Sequence, residues 1–183
     1  LFRSPNTPTS ISEHDVDWVV VVDSVGDSSK IASGAIRDTK NPRDILLAKE
    51  ACKVIVNSGY FKEGFSIQTG SGGASLAVVK YLRQTMIDQN VKASFALGGI
   101  TAHMVKLHEE GLIDRILDVQ SFDLDAALSL RKNRFHHQIG ATYYASFLSA
   151  AAVDQLDFVI LSALEIDTNF NVNVLTGSDG VIR

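Results

Sequence analysis

The sequence predicts a layered α/β/α domain with a mostly parallel sheet. Three observations carry that prediction. Runs of strand length alternate with runs of helical periodicity through most of the chain. Two strand candidates, Trp18-Val19-Val20-Val21-Val22-Asp23 and Phe158-Val159-Ile160-Leu161-Ser162, are continuous apolar stretches, the pattern of strands buried on both faces. Two more run into glycines just before a helix, at Gly70-Ser71-Gly72-Gly73 and at Gly98-Gly99. A hairpin-like pair is expected near the end of the chain.

Taken in order, residues 1–15 hold Pro5, Pro8 and several Ser and Thr, and read as an incoming linker ahead of a domain over 16–183. Trp18–Asp23 is the first expected strand, followed by a long loop from Ser24 to Lys40. Asn41-Pro42 announces a helix, with Asn as cap, Pro in the first turn and Asp44 near the positive end. Ile45, Ala48, Cys52 and Ile55 repeat at helical spacing, and Gly59 supplies the stop. Phe65–Gln68 is the next strand and Leu76–Ile87 the next helix, burying Leu76, Val79, Leu82 and Met86. Ala93–Leu97 is a short strand running into a second glycine turn, with Thr101 as candidate cap. The helix that follows carries Met104, Leu107 and His108 and ends at Gly111. Ile116–Val119 is a further strand, and Asp123–Arg131 a helix capped by Ser121 or Asp123. Residues 132–153, with His136-His137 and Tyr143-Tyr144, show no clear period. Phe158–Ser162 reads as a buried strand, and Val172-Asn173-Val174 as its neighbour across the Asp167–Asn171 turn.

Composition narrows the function classes. The chain has 183 residues, 45% hydrophobic and 21% charged, as in an ordinary water-soluble domain. A net charge of −4 disfavours nucleic acid or an anionic membrane as partner. No apolar run approaches the roughly 20 residues of a membrane span, and no leader-like segment opens the chain. The single cysteine, Cys52, excludes an internal disulfide, suits a reducing, cytoplasmic compartment and reads as a buried, inert thiol. The chain opens with Leu1-Phe2 and stops at Val181-Ile182-Arg183, so it is expected to be a piece of a longer polypeptide lacking material on both sides.

The chemistry is expected at the carboxyl ends of the strands, where open α/β sheets bind ligands. Gln68-Thr69-Gly70-Ser71-Gly72-Gly73-Ala74-Ser75 places unpaired backbone N–H groups at a helix start, an arrangement that attracts anions. Gly70, Gly72 and Gly73 admit a ligand close to the backbone and permit positive φ. The stretch lacks the Lys of a nucleotide P-loop and the third spaced glycine of a dinucleotide fingerprint. Asp23-Ser24, Gly98-Gly99 and Ser162-Ala163-Leu164-Glu165-Ile166-Asp167 stand at the other strand ends. Asp23 reads equally as a loop cap, Gly98-Gly99 as a plain turn, and Glu165 as a solvated turn residue. Glu165 and Asp167 lack the companion ligands of a metal site, so none is expected. His136-His137, beside Arg131, Lys132 and Arg134, reads as a basic surface. His103 and His108 read as core or rim residues. No G-x-S-x-G elbow and no Cys–base pair is present.

Three separated motifs then resemble the citrate lyase alpha-chain family: Gly70-Ser71-Gly72-Gly73-Ala74-Ser75-Leu76-Ala77, Phe95-Ala96-Leu97-Gly98-Gly99-Ile100-Thr101 and Ser162-Ala163-Leu164-Glu165-Ile166-Asp167. The run from Val172 to Arg183, with Thr176-Gly177-Ser178-Asp179-Gly180, matches as well. The resemblance extends from Val16 onward and is weakest at 132–153. It implies a CoA-transferase-like fold and the second of two similar α/β halves. It also implies a citrate:acetyl-acyl-carrier-protein transferase that exchanges acetyl for citryl on a CoA-type thioester and releases acetate. The implied substrates are citrate and acetyl-CoA or the prosthetic group of an acyl carrier protein, the gamma chain. That group is a CoA-derived phosphoribosyl-dephospho-CoA arm, and no cofactor bound covalently to this chain is implied. A beta chain that cleaves the citryl thioester is the other implied partner, in an oligomeric complex.

The resemblance also implies residue roles. Gly70, Ser71, Gly72, Gly73 and Ala74 would hold the thioester carbonyl or substrate carboxylates, and Gly98 and Gly99 would line the reacting centre. Glu165 would orient a substrate hydroxyl or the pantetheine arm, and Ser178, Asp179 and Gly180 would shape the arm's tunnel. Related acetate- and butyrate-type transferases carry a nucleophilic Glu at a position that aligns here with Gly98. Glycine forms no covalent acyl intermediate, so the expected mechanism is direct attack by a citrate carboxylate, with Gly98 leaving room for substrate. The alternative function is a non-catalytic α/β domain that binds a sugar phosphate at residues 70–75 for regulation or assembly.

Overall fold

The first helix forms where the sequence places a cap beside a proline. The Asn41 carboxamide oxygen accepts from the Arg43 N–H at 3.0 Å, and Pro42 opens α1 (Pro42–Asn57). The helix buries Ala48, Cys52 and Ile55 and stops at Ser58, with Gly59 beyond it at φ +82°. Burial pushes the Cys52 thiol pKa up, while a contact to the Thr85 hydroxyl pulls it down, in keeping with an inert buried thiol. The computed structural model of this chain describes residues 11–26, 39–148, 150–177 and 179–181.

The chain continues as β1 (Phe65–Thr69), α2 (Gly73–Gln89), β2 (Ala93–Ile100), α3 (Ala102–Glu109), β3 (Ile113–Ser121), α4 (Leu124–Lys132) and β4 (His136–Gln138). Next come a short α5 (Ala141–Ala145), a 3-10 turn at Ala152–Gln155 and β5 (Phe158–Ile160), and last a small antiparallel pair, β6 (Glu165–Ile166) and β7 (Val172–Asn173). The first five strands make one parallel sheet in the order β4-β3-β2-β1-β5. This is the layered α/β architecture expected from the alternation of elements.

Helices α1 to α4 share one face of the sheet. Ala48, Leu82, Met86, Met104, Leu107 and Ala126 pack there with Phe65, Ile67, Ala93 and Ile116. Fully buried side chains such as Leu82 and Met86 contribute roughly 1.5–3 kcal/mol each. The opposite face is thinner: Leu97, Phe95 and Leu117 pack against Tyr144 of α5 and Ala152 and Val153 of the 3-10 turn. The chain therefore steps from β1 through β4 on one face and reaches β5, on the far side of β1, over the other. The direction of winding reverses between β1 and β5, the position at which open α/β sheets bind ligands.

A buried polar clamp fixes β5 beside β1. Asp157 Oδ2 accepts from the Ser66 N–H at 2.9 Å, and the Ser66 hydroxyl donates to the Gln155 carbonyl at 2.7 Å while accepting from the Asp157 N–H at 2.9 Å. Ser66 is buried. Replacing it with Ala strands the Asp157 N–H and should cost about 1–3 kcal/mol in a denaturant titration of the full-length chain. A loss well below that range would show that β5 docks without the clamp.

Several expectations are corrected. Trp18–Asp23 is not a buried strand: residues 16–22 pair with no strand and Trp18 is 88% exposed. Strand propensity records fitness for a packed surface, and no described sheet edge receives this run. Phe158–Ser162 forms β5 but as an edge strand, with Val159 and Leu161 exposed, because only β1 flanks it. Val172-Asn173 pairs with β6 in a separate two-stranded sheet rather than with β5. The expected loop over Ser24–Lys40 falls largely on 27–38, and that stretch, like the expected linker up to residue 10, lies outside the described residues.

Candidate active site

The glycine turn sits at the β1–β5 reversal. The Gly70 N–H donates to the Ile160 carbonyl of β5 at 2.8 Å, so the turn is stitched to the neighbouring strand end. A side chain at Gly70 would touch Leu161, and one at Gly72 would meet only the Ser162 hydroxyl, at 3.4 Å. The end of β5 and the 70–72 turn thus lie side by side at the winding reversal. Gly72 is the N-cap of α2 and provides no side-chain cap, which leaves the first N–H groups of a 17-residue helix for something else.

The glycines of this turn are not required by backbone conformation. Gly72 has φ −70° and ψ 153°, Gly73 is helical, and Gly70 is not among the positive-φ residues. The positive φ that these glycines permit is not adopted. Room for a ligand against the backbone remains as their use.

Gly98 and Gly99 differ from expectation in another way. They lie inside β2 and remain paired to β3, with a β-bulge between them, so they form no turn. Gly98 has φ +99°, and a Cβ built on it would stand 2.9 Å from Cδ and 3.0 Å from Nε2 of Gln68. The space that Gly98 was expected to leave for substrate is filled by the Gln68 side chain. At Gly99 a Cβ would fall 2.0 Å from the Phe122 ring, so packing alone accounts for this glycine.

Thr101 occupies the N-cap position of α3 but makes no capping bond. The cap comes from Asp123, whose carboxylate accepts from the Ala102 N–H at 2.6 Å and from the Ala126 N–H at 2.8 Å, serving α3 and α4 together. Two hydroxyls at strand ends, Thr69 Oγ1 and Thr101 Oγ1, are buried without a partner among the described residues.

Glu165 follows Ser162 by three residues. It is exposed on β6, and its carboxylate accepts from the Asn173 side-chain amide at 2.9 Å. Asp167 closes the hairpin, and its carboxyl is held below the ordinary range chiefly by the Asn171 side-chain amide and then by the Asn171 backbone N–H. Asp179 and Gly180 (φ +74°) form a turn in which the Gly180 N–H donates to the Gly177 carbonyl. Ser178 lies outside the described residues. Asp23, the fourth strand-end candidate, follows the unpaired 16–22 run and joins no site.

The reading of His136-His137 as a basic surface holds for His137 only. His136 is buried, with Nε2 3.0 Å from Asp118 Oδ2 and Nδ1 2.9 Å from Ser129 Oγ. The three residues have the composition of a catalytic triad, but the imidazole is sealed from solvent and contacts its neighbours through the opposite nitrogens from that arrangement. Among the described residues no three His, Cys, Asp or Glu side chains gather as a metal would need, and no helix is long and apolar enough to cross a membrane. Grooves of about 730 Å³ between α3 and α4 and about 320 Å³ between α2 and α3 do not include the glycine turn.

The fold and site define a doubly covered parallel sheet with a glycine-rich turn and an uncapped helix start at its winding reversal. Comparison with known proteins narrows that class. The family model described as citrate lyase, alpha subunit (CitF) matches residues 1–183, and the chain belongs to that family. It is 62% identical over 184 residues to the citrate lyase alpha chain of Escherichia coli (strain K12), covering 100% of this chain and 36% of that protein. It is 59% identical to the citrate lyase alpha chain of Haemophilus influenzae over 98% of this chain and 36% of that one. A crystal structure from Streptococcus mutans, described as the alpha subunit of citrate lyase in complex with citrate, superposes with a TM-score of 0.86 at 61% identity. That match takes in 98% of this chain and 36% of the solved one. The chain therefore spans about a third of the length of the relatives it matches.

Proposed function

We propose that this chain supplies the second CoA-transferase-type domain of a citrate:acetyl-acyl-carrier-protein transferase, working with acyl-carrier and lyase partners in the cytoplasm. One observation carries the reading: at Gly72, neither backbone conformation nor packing demands glycine, yet the row of helix N–H groups it begins is left bare. Buried, unpartnered Thr69 and Thr101 hydroxyls at the same strand ends support a site completed by a ligand. Citrate in the complex of the Streptococcus mutans relative supports the substrate class.

The reaction on this reading needs no nucleophile from the chain. A citrate carboxylate oxygen attacks the acetyl thioester carbon; the C–O bond forms, the C–S bond breaks and the thiolate leaves, giving a mixed anhydride. The thiolate then attacks the citryl carbonyl of that anhydride and expels acetate. Charge collects on a carbonyl oxygen in both steps, and the backbone N–H groups over Ser71–Ala74 are suited to receive it. Glu165, held by Asn173, orients the substrate hydroxyl or the carrier arm, and Asp179 and Gly180 shape the arm's path.

The test is acyl exchange by the full-length chain with citrate and an acetyl thioester. Acetate release is expected without any acyl group retained on the protein. Glu165→Gln should slow exchange by about 10-fold, the scale of a lost orienting contact. A thioester or anhydride trapped on Glu165, with complete loss in Glu165→Gln, would overturn direct attack.

A further inference from the structure

We propose that the Gln68 carboxamide is a substrate-contacting hydrogen-bond donor of the exchange site, held in place by Tyr144. The proposal rests on the reading of the site given above and names a residue that reading does not use. Gln68 is the penultimate residue of β1, two positions before Gly70, on the sheet face that carries α5. Its side chain occupies the space a Cβ on Gly98 would need. Three features of β2 converge on that accommodation: the bulge after Gly98, its φ of +99°, and the missing Cβ. A strand that departs from regular geometry at a ligand-facing end to admit one polar group is holding that group for a purpose beyond packing.

The hydrogen bonding limits what the carboxamide can do. Its only partner among the described residues is the Tyr144 hydroxyl, 2.8 Å from Nε2 and 3.1 Å from Oε1. A carboxamide has two N–H donors and an acceptor oxygen, and the hydroxyl takes at most one of the two N–H groups. One donor therefore remains for a ligand at the carboxyl end of β1. In the first transfer step the C–O bond forms and the C–S bond breaks while an electron pair rests on the former thioester carbonyl oxygen. The spare Gln68 N–H donates to that oxygen alongside the backbone N–H groups of the turn. Tyr144 acts through Gln68 and is a positioning residue.

The experiment uses the full-length chain with citrate and an acetyl thioester. Gln68→Glu keeps the shape that fits against Gly98 but replaces the donor with a carboxylate, and Gln68→Leu removes the donor without adding charge. Both should lower kcat by about 100-fold, the scale of a lost oxyanion donor. The KM for thioester should stay within about threefold, because the contact strengthens only in the transition state. Tyr144→Phe should lower kcat by about 10-fold with unchanged thermal stability, since it frees the carboxamide to rotate. A purely structural Gln68 predicts instead that activity falls only in step with thermal stability. Should Gln68→Leu unfold the chain, Gln68→Glu and Tyr144→Phe decide the matter. Wild-type kcat in either Gln68 variant, within about threefold, overturns the proposal. If the unmodified chain fails to exchange acyl groups at all, the functional reading fails and the proposal, which rests on it, is rejected with it.

Discussion

Replacing His136 with Leu should destabilise the full-length chain by about 3–5 kcal/mol, the usual cost of removing one partner from a buried polar or ionic pair. The side chains of His136 and Asp118 are 0% and 1% exposed. Asp118 Oδ2 takes the His136 contact and also accepts from the Ser121 hydroxyl at 2.5 Å, while Oδ1 already has no partner among the described residues. Loss of the imidazole would leave a buried carboxyl group with a single hydroxyl. The network ties β3, β4 and α4 together through Asp118, His136 and Ser129. Differential scanning calorimetry should show the melting temperature falling by roughly 2–4 °C per kcal/mol for a domain of this size. The double replacement Asp118→Leu/His136→Leu should cost less than the sum of the single changes, since no polar group is then stranded. A single-variant loss under about 1 kcal/mol would mean that water or local rearrangement satisfies Asp118.

This pair also shows where sequence reading stopped. Two adjacent histidines among Arg131, Lys132 and Arg134 read as basic surface, because burial at 136 comes from β4 lying against β3 eighteen residues away from Asp118 in sequence. Signals confined to a few residues were legible. Asn41-Pro42 and Gly59 bound α1, and Asp123 was one of two caps named for α4; Gly111 falls just past α3. The carboxyl-edge position of the 70–73 turn was legible too, because strand, glycines and helix follow one another directly. Pairing partners were not. An apolar, β-branched run looks the same whether it is central, edge or unpaired, which is how Trp18–Asp23 and Phe158–Ser162 were both read as buried. Nor does a glycine announce its reason. Gly98 admits Gln68 and Gly99 admits Phe122, neighbours that become visible only once β1, β2 and the segment after β3 are side by side. Gln68 was read only as the lead-in to a turn, since its partner Tyr144 is 76 residues distant.

Replacing Gly72 with Val should abolish acyl exchange while leaving the fold intact. The backbone at this position, φ −70° and ψ 153°, is one that any residue adopts, so no strain attends a side chain. The first added carbon meets only the Ser162 hydroxyl, at ordinary contact distance. Glycine is favoured over valine at an N-cap but has no side-chain bond to lose, so the cost in stability should stay within about 1 kcal/mol. Activity should respond quite differently. A substrate oxygen reaches the N–H groups at the start of α2 only by approaching the backbone to about 3 Å, and a valine beside them holds it off. Losing even one such donor typically costs about 100- to 1000-fold in kcat, and obstruction at the cap affects several together. Gly72→Ala should fall between the two, retaining part of the activity because its single methyl leaves some of the approach open. The measurements are acetate release from citrate and an acetyl thioester, with a thermal melt of each variant to hold stability fixed. Full exchange in a folded Gly72→Val protein would remove the turn from the site and leave its bare N–H groups to be explained by solvent. Graded loss from Ala to Val at constant melting temperature would instead tie the catalytic defect to the space over the helix start.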